Sequence, residues 1–422
     1  MTLAATFLAG AKSRLLPASI PFRFFATAAV FHVLMWLVLL AWTNEATSFR
    51  GGPGPTLAVV HILVLGVLTT TAIGASAQLL PVATRHALAA VWPIKLVFWL
   101  TVPGIAALIV GMYAANPEII IPAAIVTVVG LLLYAGLLAD NLRRAGNLAV
   151  VAAYGWAALV ALVLLVGLGL LLALDYEIGV LPNHAAAALA HMILGGFGFM
   201  GLLVLGFSHV LVPMFALAAA PPNRPSFIAF ALATAGVAIG SIGALADSMP
   251  TLTAAALIGL GAAVLHLWLM SRVLKSGMRK RLGQSFLLIR TAWILLPATL
   301  LIGLAALYGL AGSNGPTLFG FLLIAGWLLT FLLGILQRIL PFLASMHANR
   351  TAGAAPPLLS ELAASAPLKL HAVCHGIALA VLSLAIAVDS TWLTRAGSAV
   401  GLVGAVAFAW FTASVTRRAL HW

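Results

Sequence analysis

A single cysteine, Cys374, is all the thiol in this chain of 422 residues. One thiol excludes an intrachain disulfide and a Cys-x-x-Cys-His haem attachment, and it leaves no cluster for soft thiolate chemistry. Charge is nearly as scarce. Charged residues make up 7% of the chain, whereas soluble proteins carry roughly a quarter. Acids are scarcest, with 8 Asp and Glu against 21 Lys and Arg, so di-iron carboxylate sites are a poor fit.

What fills the chain instead is hydrocarbon, at 64% hydrophobic residues. Crossing about 30 Å of bilayer core takes about 20 apolar residues. Runs of that length fall at 23–43, 57–82, 89–112, 119–139, 148–174, 184–213, 226–246, 251–273, 288–312, 317–345, 368–388 and 391–416. The expected fold class is therefore an all-α integral membrane protein of twelve transmembrane helices. The first apolar run is too long for the h-region of a cleaved signal peptide.

The formal net charge of +13 raises the question of nucleic acid, and the distribution of the charge answers it. With a cytoplasmic N-terminus, Lys12, Arg14, Arg23, Arg85, Arg143, Arg144, Lys275 to Arg281, Arg338, Arg350 and Arg418 fall inside. Only Arg50 and Arg395 fall outside. Such a bias follows the positive-inside rule and predicts two cytoplasmic termini. The expected partner of the basic charge is the lipid bilayer, with no nucleic acid. Ala, Leu and Gly richness without an organellar presequence points to a bacterial inner (cytoplasmic) membrane.

One spacing occurs three times. Gly-x7-Gly-x6-Pro is found at Gly66/Gly74/Pro81, Gly198/Gly206/Pro213 and Gly326/Gly334/Pro341. Near-equal intervals predict a single polytopic domain built of three four-helix repeats, at roughly 20–145, 146–285 and 286–422. Glycines eight apart share a helix face, where a neighbouring backbone or a flat ligand can come close.

Histidine is nearly the only intramembrane residue type able to do chemistry, and ionisable groups buried there are functional candidates by default. His61, His184 and His191 form an outer set; His86, His209, His347, His371 and His375 form an inner one. Neutral imidazole is the usual axial ligand of haem b and a common ligand of copper. The candidate cofactor ligands are thus His61, His191, His184, His209, His371 and His375, with His86 and His347 as candidate metal ligands. His32 and His266 stand alone in the sequence, and His86, His347 and His421 sit at interfaces where histidine costs little.

The twelve spans, the repeat and the block His61-Ile-Leu-Val-Leu-Gly66 together resemble the haem-copper oxidase subunit I superfamily. There, a histidine five residues before a glycine on the second helix binds a low-spin haem. Pro21-Phe-Arg-Phe-Phe25 and a second His-x4-Gly at His191 to Gly196 are similar to the NnrS group of haem- and copper-containing membrane proteins linked to nitric oxide tolerance. The resemblance implies a pseudo-threefold arrangement, haem b with copper as a further candidate, electron transfer or nitric oxide and oxygen chemistry, and a cytochrome or other redox partner. Two departures limit it. The group's His-x-His-Glu pattern is reduced here to Val59, His61 and Ile62, and residues 226–246 and 317–340 hold none of the binuclear-centre histidines. A secondary transporter of a small solute or metal ion is the alternative, and an accessory subunit that passes haem or copper onward is a third reading.

Overall fold

A computed structural model describes residues 14–88, 90–146, 148–279, 281–348, 359–362 and 365–421. Lys12, Lys280, Arg350 and Trp422 lie outside them, as does the Pro- and Ala-rich stretch at 349–358. Among the described residues there is no strand, and twelve helices are long and apolar enough to cross a bilayer. The chain is a multi-pass membrane protein.

In chain order the spans are α1 (Ser19–Ala41), α2 (Pro55–Thr84), α3 (Trp92–Tyr113), α4 (Pro117–Leu142), α5 (Ala149–Ile178) and α6 (His184–Ala216). They continue as α7 (Asn223–Leu245), α8 (Met249–Ser276), α9 (Gly283–Leu307), α10 (Gly315–His347), α11 (Ser365–Val388) and α12 (Thr391–Leu420). Most turns between them are short, so successive helices run antiparallel. Local chemistry fixes several boundaries. Asn116 and Asn183 accept hydrogen bonds from Glu118 N at 2.9 Å and Ala186 N at 3.1 Å, capping α4 and α6. At the other end of α2, α5 and α6, Arg85, Gly179 and Leu217 adopt left-handed backbone and stop the helix.

Three helices are interior and nine surround them. Burial reaches 72, 67 and 67% in α2, α6 and α10, but only 28–44% in the others. The surrounding helices close a ring, packing in the order α1, α3, α4, α5, α7, α8, α9, α11, α12 and back to α1. Within that ring α10 packs against both α2 and α6. The outer faces carry exposed Trp99, Val160, Ile294 and Trp410, the apolar surface that lipid covers.

Each interior helix contains one eight-residue π-helical segment: Ile62–Thr69, Leu194–Gly201 and Leu322–Leu329. The first glycine of each Gly-x7-Gly-x6-Pro copy, Gly66, Gly198 and Gly326, is the fifth residue of its segment. A π-helix widens the turn and pairs groups five residues apart. Hydroxyls reinforce that pairing: Thr69 Oγ1 donates to Val64 O at 2.7 Å, Thr70 Oγ1 to Leu65 O at 2.9 Å and Thr330 Oγ1 to Ala325 O at 3.0 Å.

The glycine stripes are filled by side chains, which decides between the two occupants their spacing allows. A Cβ at Gly66 would lie 2.6 Å from Phe31 Cγ, and one at Gly74 would lie 2.7 Å from Phe24 Cβ, both on α1. Gly198 and Gly206 meet Ala161 and Tyr154 of α5 at 2.9 and 2.6 Å, and Gly334 meets Ser285 O of α9 at 2.8 Å. Each stripe therefore seats the helix that precedes it, and that helix fills the space a flat ligand would need.

Candidate histidine sites

The interior helices and their neighbours bring the histidines into three groups. The first lies near the face at which α2 and α6 begin. His61, just before the α2 π-segment, donates from Nδ1 to Leu57 O at 3.0 Å. That bond fixes the tautomer and leaves Nε2 with a lone pair. His191, one turn before the α6 π-segment, packs on Gly169 of α5, where a Cβ would sit 2.9 Å from its Cε1. Its Nδ1 is buried without a hydrogen-bond partner. The two imidazoles are near enough to interact electrostatically. Both rings are half-buried.

His184 belongs elsewhere. Its Nδ1 donates to Asp175 Oδ2 at 2.7 Å and its ring lies 4.9 Å from Tyr176. Asp175 also accepts from Leu181 N at 2.6 Å, so this trio ties the α5–α6 turn together. Seven-residue spacing places His184 and His191 on one helix face, yet they meet different partners.

The second group joins α1, α11 and α12 to α10. His371 and His375 stack with ring centres 5.7 Å apart, as their spacing of four predicts. His32 completes the set, its ring 6.2 Å from His371. Each ring has one nitrogen with a partner. Trp36 Nε1 donates to His32 Nε2 at 3.2 Å, His371 Nδ1 donates to Gly404 O at 3.1 Å, and His375 Nε2 pairs with Thr330 Oγ1 at 2.8 Å. Thr330 already donates to Ala325 O, so the His375 nitrogen is the donor. His32 Nδ1 and His371 Nε2 are buried and unpartnered, and the fixed tautomers make the first a donor and the second an acceptor.

The third group is His209 on α6, His266 on α8 and Tyr154 on α5. Ring centres are 5.5 Å apart between the histidines and 5.6 Å between His209 and Tyr154.

His347 and His86 do not join these groups. His347 Nδ1 contacts Leu343 O at 2.8 Å and Nε2 contacts Leu16 O at 2.9 Å, which leaves no nitrogen for a metal. His86 is exposed just past the end of α2, where its backbone carbonyl accepts from Asn141 Nδ2 at 3.0 Å. The inner set drawn from the sequence thus divides between two places, and each gains a histidine that the sequence showed as solitary, His32 or His266. Among the described residues, no three His, Cys, Asp or Glu side chains gather so as to hold a metal ion. No family model matches the chain, and no curated protein matches it significantly.

Proposed function

We propose that the chain is a haem-binding protein of the bacterial inner membrane, similar to haem-copper oxidase subunit I and closest to the NnrS group. In this reading His61 and His191 hold haem b near the periplasmic face. Three four-helix units surround a pseudo-threefold axis, and both termini are cytoplasmic.

The observation that carries the reading is the His61–His191 pair. Two imidazoles from two interior helices lie near enough to interact electrostatically beside matching π-segments, and the one hydrogen bond of either ring is made by His61 Nδ1, leaving its Nε2 free. Paired imidazoles suit a haem with two axial ligands, and π-turns are frequent at functional sites. Support for the threefold axis comes from the placement of those segments in α2, α6 and α10 and from glycine stripes that each seat the preceding helix. Two six-helix halves, the usual pattern of a secondary transporter, would not be expected to produce three such copies.

Haem b held by His61 and His191 would supply one-electron iron chemistry. The chain's own part is orientation and exclusion of water. Leu57 O holds His61 in one tautomer, and such a bond raises the basicity of the opposite nitrogen. Gly169 makes room for the His191 ring. Phe31, pressed against Gly66, seals the α1–α2 seam. The role is electron transfer with a cytochrome or similar partner, or nitric oxide or oxygen chemistry and tolerance.

Optical spectra of the purified full chain, oxidised and reduced, test the proposal. A Soret band with bound iron is expected, lost in His61→Ala and His191→Ala. Protein expressed with ample haem that shows neither band nor iron would sink it.

A further inference from the structure

Positive charge is left uncompensated at one corner of the bundle, where α8 ends and α9 begins. Between Asp247 and Glu361 the sequence holds no acid, while the end of α8, the loop after it and the start of α9 carry Arg272, Lys275, Arg279, Arg281 and Arg290. The α4–α5 corner at the same end differs. There Asp140 accepts from Arg143 at 2.6 Å and from Arg144 at 2.7 Å. Loop cations by themselves reflect topology. Arg338 is not on a loop: it belongs to the interior helix α10, half-buried, at the same corner.

Arg338 is held in place. Its Nε donates to Ser285 Oγ at 2.7 Å and its Nη2 to Leu282 O, which fixes the guanidinium against the start of α9 and leaves Nη1 without an acceptor among the described residues. Arg279 is near enough to repel it electrostatically. The loop carrying Arg279 is docked too. Arg279 N donates to Ala216 O at 3.2 Å and Met278 N to Leu217 O at 3.4 Å, and a Cβ at Gly277 would lie 2.6 Å from Ala216 O. Among the described residues no carboxylate pairs with either arginine. Two fixed guanidinium groups without an acid favour an anion between them.

Depth and surroundings select the anion. Arg338 lies 23 residues past Gly315, about 35 Å along α10 at about 1.5 Å per residue. The hydrocarbon core is about 30 Å thick, so the guanidinium is level with the phosphates of that leaflet. Arg272 lies over exposed Trp268 at 4.9 Å, a pairing suited to the same interfacial level. Guanidinium matches phosphate with paired N–H bonds, and basic pockets between membrane helices take lipid headgroups. Met278 and Leu287, on either side of the loop, are 64 and 61% exposed and offer apolar surface to acyl chains, which a soluble anion would not use.

We propose that Arg338 and Arg279 seat the phosphate of one anionic phospholipid, its acyl chains lying over Met278 and Leu287. The seat is independent of the haem reading: lipid retention reports on this one, the Soret band on the other.

The test is native mass spectrometry of the full chain in detergent, with phosphatidylglycerol or phosphatidylcholine added. One phosphatidylglycerol is expected to stay bound under activation that strips phosphatidylcholine. Its retention should fall about fivefold in Arg338→Gln and in Arg279→Gln, and stay unchanged in Arg143→Gln, which removes a cation already paired with Asp140. Arg279→Gln keeps its backbone bond to Ala216 O, so it reads the seat even if Arg338→Gln fails to fold. Equal retention of the two lipids, full retention in Arg279→Gln, or an equal fall in Arg143→Gln would each overturn the proposal. So would displacement of the lipid by inorganic phosphate, which would make the seat one for a soluble anion.

Discussion

The two buried histidine clusters differ in what surrounds them. Around His32, His371 and His375 the protein supplies an indole, a backbone carbonyl and a threonine hydroxyl, so each ring is held by a partner of fixed polarity. Around His209, His266 and Tyr154 it supplies one carbonyl for three polar rings. Hydrogen-bonded histidine in an apolar interior is a packing element with direction, whereas unpaired histidine carries a desolvation cost that only a bound species relieves. The first cluster gives every ring at least one partner and leaves His32 Nδ1 and His371 Nε2 unpaired, whereas in the second Tyr154 Oη, His209 Nε2 and both nitrogens of His266 are unpaired. Substitutions should therefore destabilise the anchored cluster more than the unanchored one.

The largest separation is expected from two glycines. A Cβ at Gly401 would lie 2.5 Å from Trp36 ring atoms, and Trp36 holds His32, so Gly401→Ala must move the indole and break its bond. Overpacking plus a lost buried hydrogen bond should cost about 3 kcal/mol. Gly206→Ala crowds Tyr154 as closely, at 2.6 Å, but breaks no hydrogen bond, and about 2 kcal/mol is expected. Denaturant unfolding in detergent measures both, and an equal or larger loss in Gly206→Ala would break the contrast.

Thr330→Val comes next. It keeps the shape while stripping His375 Nε2 of its partner and Ala325 O of its hydroxyl donor in the α10 π-segment. A buried imidazole left unpaired costs about 2 kcal/mol. Trp36→Phe removes the donor to His32 Nε2 and should cost about 1 kcal/mol beyond the change in ring size, measurable by the same unfolding.

Hydropathy made the spans legible, since about 20 apolar residues can do little else in sequence, and twelve were expected and are found. Boundaries were less clear: the ninth run was placed at 288–312 but the helix is Gly283–Leu307, which also takes in the polar Gln284 and Ser285 at its start. The glycine spacing marked the three interior helices. The π-segments themselves were invisible, as Ile62–Thr69 reads like any apolar helix. Among histidines, the i,i+4 pair His371/His375 was legible because its contact is local. His32 is 339 residues from His371, and no periodicity reports a contact made by ring closure between α1 and α12. The His184–Asp175 pair, only nine residues apart across a turn, was within reach of a charge-pairing argument.

The smallest effect is the most discriminating. His266→Leu replaces a ring that has no hydrogen bond with an apolar side chain, so it should change stability by less than about 1 kcal/mol and could raise it. His371→Leu serves as the companion measurement: it should lose about 2 kcal/mol, because Gly404 O loses its donor. A loss of about 2 kcal/mol or more in His266→Leu, measured by the same denaturant unfolding, would mean that His266 has a partner within the chain, and the two clusters would then be alike.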